Sequence, residues 1–118
     1  MSSLAADRLC MAASGKFRPT PTKMAVKVLI VRRGTPRCFE ELKPLLQRLR
    51  AMALAQPGYV SGETFLNIEA PGEYLVISTW ATLAQWTEWL NKPERAAIQA
   101  KIDELLGETT LYQVYQHV

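Results

Sequence analysis

The chain has 118 residues, 48% of them hydrophobic and 21% charged, which is the composition of one ordinary globular domain. No stretch approaches the roughly 20 apolar residues that a membrane-spanning helix needs, so a transmembrane helix is excluded. The net charge of +3 is uneven, since the first 38 residues carry eight Lys or Arg and one Asp while the remainder is acidic. An acidic body argues against a nucleic-acid-binding domain.

Cysteine and histidine are too sparse to form several common kinds of site. Cys10 and Cys38 make no CxxC pair, and His117 is the single histidine. The chain therefore has no pattern for a zinc site, a Ser-His-Asp triad or a Cys-His dyad. We expect free thiols, a cytoplasmic location and no metal site.

The N-terminal third predicts a tail, a strand and a helix. Residues 1–23 lack hydrophobic periodicity and include SGKFRPTPTK, which predicts a disordered tail ahead of a domain at 24–118. Residues 25–33 (AVKVLIVRR) are rich in β-branched side chains and predict a strand. Thr35-Pro36 then predicts a helix start, and Pro44 predicts a kink or a later start. Apolar residues at steps of three and four mark the buried face of this helix: Phe39, Leu42, Leu46, Leu49 and Ala53.

The central part predicts a β-hairpin. Residues 59–69 alternate, with Tyr59 and Phe65 on one face and Leu66 on the other, and Gly62 predicts a bulge or a close backbone approach. Residues 70–72 (APG) form a turn. Residues 74–80 (YLVISTW) form a continuous apolar run, which is typical of a strand covered on both faces.

A helix follows this third strand directly. Thr82 and Gln85 form a capping-box pattern, and Pro93 predicts a restart after a break near residues 91–92. Gly107 ends the helix, and residues 109–118 alternate as a fourth strand. The later part of the helix is predicted to bury Ile98, Ile102 and Leu105.

The order βαββαβ predicts a ferredoxin-like α+β fold, with two helices on one face of a four-stranded antiparallel sheet. The opposite face of that sheet is also apolar, because the first and third strands are apolar on both sides. A monomer would expose more apolar surface than soluble proteins usually tolerate. We therefore expect a homodimer formed through the sheet face.

Three segments, PGYVSGETFLN, YLVISTW and QWTEWLNKPERAAI, resemble the antibiotic biosynthesis monooxygenase family over residues 24–118. The resemblance implies a dimeric α+β barrel. It also implies oxygenation of electron-rich aromatics such as quinols or anthrones without a cofactor in some members, and haem degradation in others. Its most specific element is a Trp that ends the third strand (Trp80), followed nine positions later by Trp89, where many members have His.

The haem-degrading members imply three positions around a haem. In them a helix Trp, a helix His ten residues later and a strand-one Asn surround the haem. Trp89 matches the first, whereas Gln99 and Lys27 occupy the other two. Glutamine does not ligate haem iron as histidine does, so haem degradation is the least favoured activity.

We predict a substrate pocket at the joint of the third strand and the following helix. Trp80 and Trp86 are expected mainly to pack in the core, and Trp89 either to pack or to line the pocket. Trp89 and Lys27 are the predicted catalytic residues, the latter as a buried cation that stabilises a phenolate or enolate. The predicted substrate-binding residues are Gln99, Asn67, Trp86 and Tyr74.

Two functions of different classes fit these features. One is a cofactor-free monooxygenase that deprotonates and holds an ionisable aromatic, and the other is a non-catalytic dimeric barrel that binds an apolar ligand or acts as a scaffold. We interpret Arg32 and Arg33 as a charged strand end, with recruitment of an anionic ligand as the alternative.

Overall fold

The structure, a computed structural model, describes residues 25–118. The disordered tail predicted for residues 1–23 and the thiol of Cys10 lie outside this range. The described elements confirm the predicted ferredoxin-like order, with the second helix divided in two where Pro93 predicts a restart. They are β1 (Val26–Arg33), α1 (Pro36–Leu54), β2 (Tyr59–Leu66), β3 (Glu73–Trp80), α2 (Leu83–Leu90), α3 (Pro93–Leu106) and β4 (Leu111–Gln116).

The four strands form one antiparallel sheet in the order β2-β3-β1-β4, so β1 and β3 are central. Val26, Val28 and Ile30 alternate along β1 and point toward the helices, where each is buried. Arg32 continues the same alternation and is therefore carried to the helix-covered side with them. The position of Arg32 in β1 therefore places a cation in the core.

The helices pack on one face of the sheet through stripes spaced by three and four residues. Phe39, Leu42, Leu49 and Ala53 are the buried residues of α1, which runs through Pro44 without a break, so the predicted later start is wrong. In α3 the prediction for Leu105 is also wrong. Its side chain is exposed, and Leu106 is buried instead. No helix in the described range is long and apolar enough to cross a bilayer.

The α1–β2 turn meets the start of α2 at close range. Thr82 caps α2 by accepting a hydrogen bond from the Gln85 amide at 3.1 Å, as the capping-box pattern predicts. Gly58 has φ of +88°, and a Cβ at this position would collide with the Gln85 side chain. The Gly58 carbonyl accepts a hydrogen bond from the Ala81 amide at 2.7 Å. Glycine at position 58 thus lets the turn close against the β3–α2 joint.

A bulge in β2 changes the predicted face of one aromatic residue. The register with β3 shifts between Tyr59 and Ser61, so Tyr59 lies on the helix-covered side rather than beside Phe65. The Tyr59 hydroxyl lies over Gly62, where a Cβ would collide with it. The bulge lies between Tyr59 and Ser61 rather than at Gly62, and the close contact at Gly62 comes from a side chain rather than from backbone. The prediction for the face of Tyr59 was wrong.

The face of the sheet away from the helices carries both apolar side chains and polar ones, the latter including Lys27, Glu63, Thr79 and Gln113. Phe65, Leu111 and Tyr115 on this face are 45%, 47% and 50% exposed. We call it the outer face, and its apolar members are Leu29, Val31, Phe65, Leu75, Ile77, Leu111 and Tyr115.

Replacing Gly58 by alanine should destabilise the fold more than the same change at Gly107. Both glycines have positive φ, so each alanine costs about 1–2 kcal/mol. Only at Gly58 does the new methyl group also collide, so we expect a total loss of about 2–4 kcal/mol there. Urea unfolding of G58A and G107A measures the difference. Equal losses would contradict close packing of the turn against Gln85.

Candidate active site

A cavity of about 290 Å³ lies between α1 and the helix-covered face of the sheet. Strand residues form its floor, α1 forms its roof, and α2 and α3 complete the wall. Most of these side chains are apolar or aromatic, which is typical of small-molecule sites. The floor consists of Ile30, Arg32, Gly62, Thr64, Tyr74, Val76, Ser78 and Trp80, the roof includes Phe39, Leu46, Leu49 and Ala53, and the wall includes Tyr59, Trp86, Trp89 and Arg95.

Polar side chains of α1 line the solvent side of the cavity. They are Glu40, Lys43, Gln47 and Arg50, all of them exposed. Glu40 lies 3.5 Å from Lys43 in an ion pair between two exposed groups. Surface pairs of this kind contribute little to stability. The entrance is therefore polar and hydrated, in contrast to the interior.

Trp80 is the centre of the aromatic wall and is 1% exposed. Its ring stacks with that of Trp89 at a centroid distance of 6.3 Å and an interplanar angle of 24°. Trp86 at 5.9 Å and Tyr59 at 5.3 Å approach the same ring edge-on. Such arrangements suit the quadrupoles of aromatic rings. A planar aromatic ligand in the cavity would meet further ring faces and edges of the same kind.

Two arginines are buried at the cavity, Arg32 at 5% and Arg95 at 4% exposure. The Arg95 guanidinium donates to the Leu90 carbonyl at 3.4 Å and to the Tyr112 hydroxyl. It also lies over the rings of Tyr112 and Trp89, 5.2 Å and 5.9 Å from their centroids. These contacts fix the position of the cation by cation–π attraction and hydrogen bonds.

Gln99 fixes the Arg32 guanidinium through a hydrogen bond. Arg32 Nη2 donates to Gln99 Oε1 at 3.1 Å. The Gln99 amide nitrogen in turn donates to Asp103 Oδ1 at 2.8 Å and to Thr110 Oγ1 at 2.9 Å. The Thr110 hydroxyl donates to the same Asp103 oxygen at 2.7 Å. This chain of bonds links β1, α3 and the start of β4 beneath the cavity.

Neither guanidinium group is fully satisfied within the described residues. The Nε atoms of Arg32 and Arg95 are both covered and have no hydrogen-bond partner. Burial is the main cause that lowers the pKa of Arg32 from its ordinary value; Tyr112 raises this pKa, nearby Arg95 lowers it and Asp103 raises it. Arginine nevertheless remains protonated in proteins. The cavity thus contains two positive charges in a poorly solvated setting.

Three of the six predicted site residues line the cavity: Trp86, Trp89 and Tyr74. The Tyr74 ring packs on Phe39 with centroids 4.0 Å apart. Gln99 lies behind Arg32 rather than in the wall. The catalytic and substrate-binding roles assigned to these residues remain predictions.

The structure places Lys27 and Asn67 away from the cavity. Lys27 alternates with Val26 and Val28, so it lies on the outer face, where its exposed ammonium donates to Thr79 Oγ1 at 2.8 Å. The buried cation expected at Lys27 is absent from that position. Asn67 is a turn residue whose side-chain oxygen accepts from the amides of Glu69 and Ala70 at 2.9 Å and 3.2 Å.

The sequence contained signals for both buried arginines. Arg32 continues the alternation of Val26, Val28 and Ile30, and that periodicity indicates the inward face more reliably than charge does. Arg95 precedes Ile98 and Ile102 by three and seven positions, which places it on the buried stripe of α3. From the sequence we interpreted Arg32 as a charged strand end, with recruitment of an anionic ligand as the alternative, and made no prediction for Arg95.

The family model described as antibiotic biosynthesis monooxygenase matches residues 25–101 of this chain. The chain belongs to the antibiotic biosynthesis monooxygenase (ABM) family. The match includes β1 to α2 and most of α3, and therefore every lining residue named above. The resemblance inferred from the three sequence segments is confirmed.

Solved structures with the same fold are similar to this chain at low sequence identity. A conserved protein from Methanosarcina mazei Go1 has a TM-score of 0.75 at 16% identity, covering 82% of this chain and 96% of its own. The cofactor-independent oxygenase SnoaB from Streptomyces nogalater has a TM-score of 0.64 at 20% identity, covering 80% and 92%. Rv0793 from Mycobacterium tuberculosis gives 0.69 at 19%, covering 80% and 95%. Comparison with curated protein sequences found no match.

Replacing Gln99 by methionine should lower stability, because Arg32, Asp103 and Thr110 would each lose a hydrogen-bond partner. Leaving buried polar groups unsatisfied costs about 1–3 kcal/mol, and we expect a loss in that range. Gln47→Met on the exposed side of α1 is the matched control, with an expected change within about 0.5 kcal/mol. Urea unfolding measures both, and equal stability of Q99M and Q47M would contradict the structural role of Gln99.

Proposed function

We propose that this chain is a monooxygenase that oxidises a small ionisable aromatic molecule, quinol- or anthrone-like, inside the cavity and without a bound cofactor. The observation that carries the proposal is the wall of three indoles, Trp80, Trp86 and Trp89, around an apolar space of about 290 Å³. A planar ring gains dispersion and stacking contacts against such a wall. Membership of the ABM family and the fold shared with SnoaB, described as a cofactor-independent oxygenase, support the reaction class.

The proposed chemistry balances between substrate and dioxygen alone. The substrate anion transfers one electron to dioxygen, and the two radicals combine to a peroxide on the ring carbon. Loss of water from the peroxide converts an anthrone CH₂ to a carbonyl, or a quinol to a hydroxyquinone. The substrate loses four electrons and dioxygen gains four. One oxygen atom enters the product, and the other leaves as water.

The cavity residues would act on this reaction by binding and by electrostatics. Trp89 would stack on the substrate ring. Arg95, which lies over Trp89, would stabilise negative charge on that substrate ring. Apolar roof residues such as Leu49 would exclude water from the radical pair and the peroxide. Each contribution follows from a side chain that lines the cavity.

A non-catalytic binding protein is the alternative, and one observation favours it. Within the described residues, the carboxylate that lines the cavity is Glu40, which is exposed at the entrance and paired with Lys43. A buried general base is thus missing from the described lining. A binding protein would use the same aromatic wall without turning the ligand over.

Haem does not fit the residues at this site. Gln99 occupies the position that the haem-degrading members imply for the His ligand, and both ends of its amide are already hydrogen-bonded to protein groups. It also lies behind Arg32 rather than in the cavity wall. We therefore assign no step to haem.

Oxygen uptake with a panel of quinols and anthrones tests the proposed reaction. We expect at least one panel member to be consumed with one dioxygen per product. Trp89→Phe should lower kcat/KM about 3- to 10-fold, because a ring contact is worth roughly 0.5–1.5 kcal/mol. Leu83→Ala, an exposed change on the same helix, is the control and should leave the rate within about 2-fold. Ligand binding without oxygen uptake across the panel would leave the binding-protein alternative.

We also propose that the chain forms a homodimer through the outer face of the sheet. Members of this family are commonly dimeric. The outer face carries the exposed side chains of Phe65, Leu111 and Tyr115 around the half-buried Leu29 and Ile77. Large apolar patches of this kind typically mark protein contacts. A second copy of the same sheet offers a complementary apolar surface.

Sedimentation tests this dimer at micromolar concentration. The wild-type chain should sediment at about twice its mass of 13.3 kDa. Leu29→Lys places a charge in the middle of the outer face, between Ile77 and Gln113, and should give a monomer, because an unpaired buried charge is costly. Leu54→Lys changes an equally apolar but distant exposed residue at the end of α1 and should remain dimeric. A wild-type monomer would refute the proposal.

A further inference from the structure

We propose that Arg32 and Arg95 form an anion-binding subsite in the cavity, and that the ligand is an aromatic acid, a planar ring carrying a carboxylate. The inference deepens the proposed function, because it rests on that function only for the cavity that holds the ring. It adds the chemical class of the ligand, assigns Arg95 as a binding residue, and takes up for Arg32 the alternative of anionic-ligand recruitment that the sequence offered.

The two arginines are buried without a full set of hydrogen-bond partners in the part of the chain that the structure describes. Arg32 and Arg95 are at least nine-tenths buried and line the same cavity, and both Nε atoms lack a hydrogen-bond partner among the described residues. An arginine carries five N–H donors in a fixed planar fork. Arg32 uses one donor group toward Gln99, and Arg95 uses two, toward Leu90 and Tyr112. The covered Nε groups are out of a ligand's reach, so the donors that remain for an acceptor are the unused Nη N–H groups.

Neither arginine has a directly paired carboxylate among the described residues. The charge of Asp103 raises the pKa of Arg32, yet Asp103 forms no ion pair with it, and one of its oxygens already accepts from Gln99 and from the amide and hydroxyl of Thr110. Burying a cation without a partner costs several kcal/mol. Two such cations close enough to repel each other are expensive to retain unless a bound anion offsets the cost.

The cavity lining favours a carboxylate over a phenol as the charged group of the ligand. The described lining holds no buried base to ionise a phenol, and a free phenol resembles tyrosine, whose ordinary pKa is near 10. A carboxylic acid has an ordinary pKa near 4, so it enters already charged at neutral pH. Its two oxygens also match the fork of a guanidinium group in bidentate pairing. The ligand therefore brings its own negative charge.

The cavity dimensions limit the rest of the ligand. A volume of about 290 Å³ is at the lower end of ligand sites, which span roughly 300–1,000 Å³. The stacked indoles of Trp80 and Trp89 suit a flat ring system rather than a branched chain. One or two fused rings with a carboxylate satisfy both limits.

The experiment compares two naphthalene probes on the full chain by tryptophan fluorescence quenching and calorimetry. The probes are 1-hydroxy-2-naphthoate and 1-naphthol, which share the ring system and the hydroxyl group and differ in the carboxylate. The wild-type chain should bind the naphthoate about 10-fold or more tightly than the naphthol, since charge-assisted hydrogen bonds are lost with the carboxylate. Equal affinity for the two probes would overturn the proposal.

Variants then locate the charge recognition. Arg32→Gln and Arg95→Gln should each weaken naphthoate binding about 10-fold or more and change naphthol binding by less than about 3-fold. Arg48→Gln, an exposed change on α1 outside the cavity, should alter neither affinity. An equal loss of affinity for both probes in the two cavity variants would overturn the assignment.

Two further measurements keep the proposal testable if a variant does not fold. Naphthoate affinity of the wild-type chain should stay constant between about pH 6 and pH 8, because the carboxylate stays ionised across this range. Inorganic phosphate should compete only weakly, because it lacks the ring. An affinity that rises steeply with pH would point to a phenolate, and phosphate binding as tight as naphthoate binding would point to a general anion site; either would overturn the aromatic-acid assignment.

These binding measurements are independent of turnover. Tight, arginine-dependent naphthoate binding without oxygen uptake would remove the monooxygenase and leave the subsite. Oxygen uptake with neutral quinols and no preference for the naphthoate would support the monooxygenase and remove the subsite.

Discussion

The packing of Trp80 against three other rings is the contact on which the rest of the structure depends. Trp80 ends β3, is almost fully covered, and meets Tyr59 from β2 and Trp86 and Trp89 from α2. Burying an aromatic side chain of this size removes about 150–250 Å² from water, worth roughly 4–6 kcal/mol as an upper bound. The same contacts fix the angle at which α2 leaves the sheet. The rings that form the main packing contact of the fold therefore also form the cavity wall.

The buried arginines stand in contrast to this apolar core. In a core that served only stability, an apolar residue at Arg32 or Arg95 would be neutral or favourable. Instead, hydrogen bonds to Gln99, Leu90 and Tyr112 hold the two cations at the cavity. A stability cost concentrated at one cavity is typical of binding and catalytic sites. In the proposed function, indoles position the ring and cations recognise its charge.

The extent to which the sequence predicted the structure depended on which periodicity was followed. Alternation and helical spacing predicted the element order, and Pro93 predicted the break in the second helix. Gly62 indicated an irregularity in β2, but alternation could not locate the bulge after Tyr59, because a bulge reverses the faces without a change in composition. The family resemblance placed Lys27 in the site, although alternation with Val26 and Val28 already assigned it to the outer face. Arg32 was misread because its charge was given more weight than its place in the same pattern.

A crystal structure of the full chain with 1-hydroxy-2-naphthoate tests the central claim most directly. The account predicts ligand density between α1 and the sheet, with the ring within about 4 Å of Trp89 and the carboxylate about 3 Å from the guanidinium of Arg32 or Arg95. Ligand density on the outer face, or in the cavity with the carboxylate turned toward Glu40 at the entrance, would contradict it.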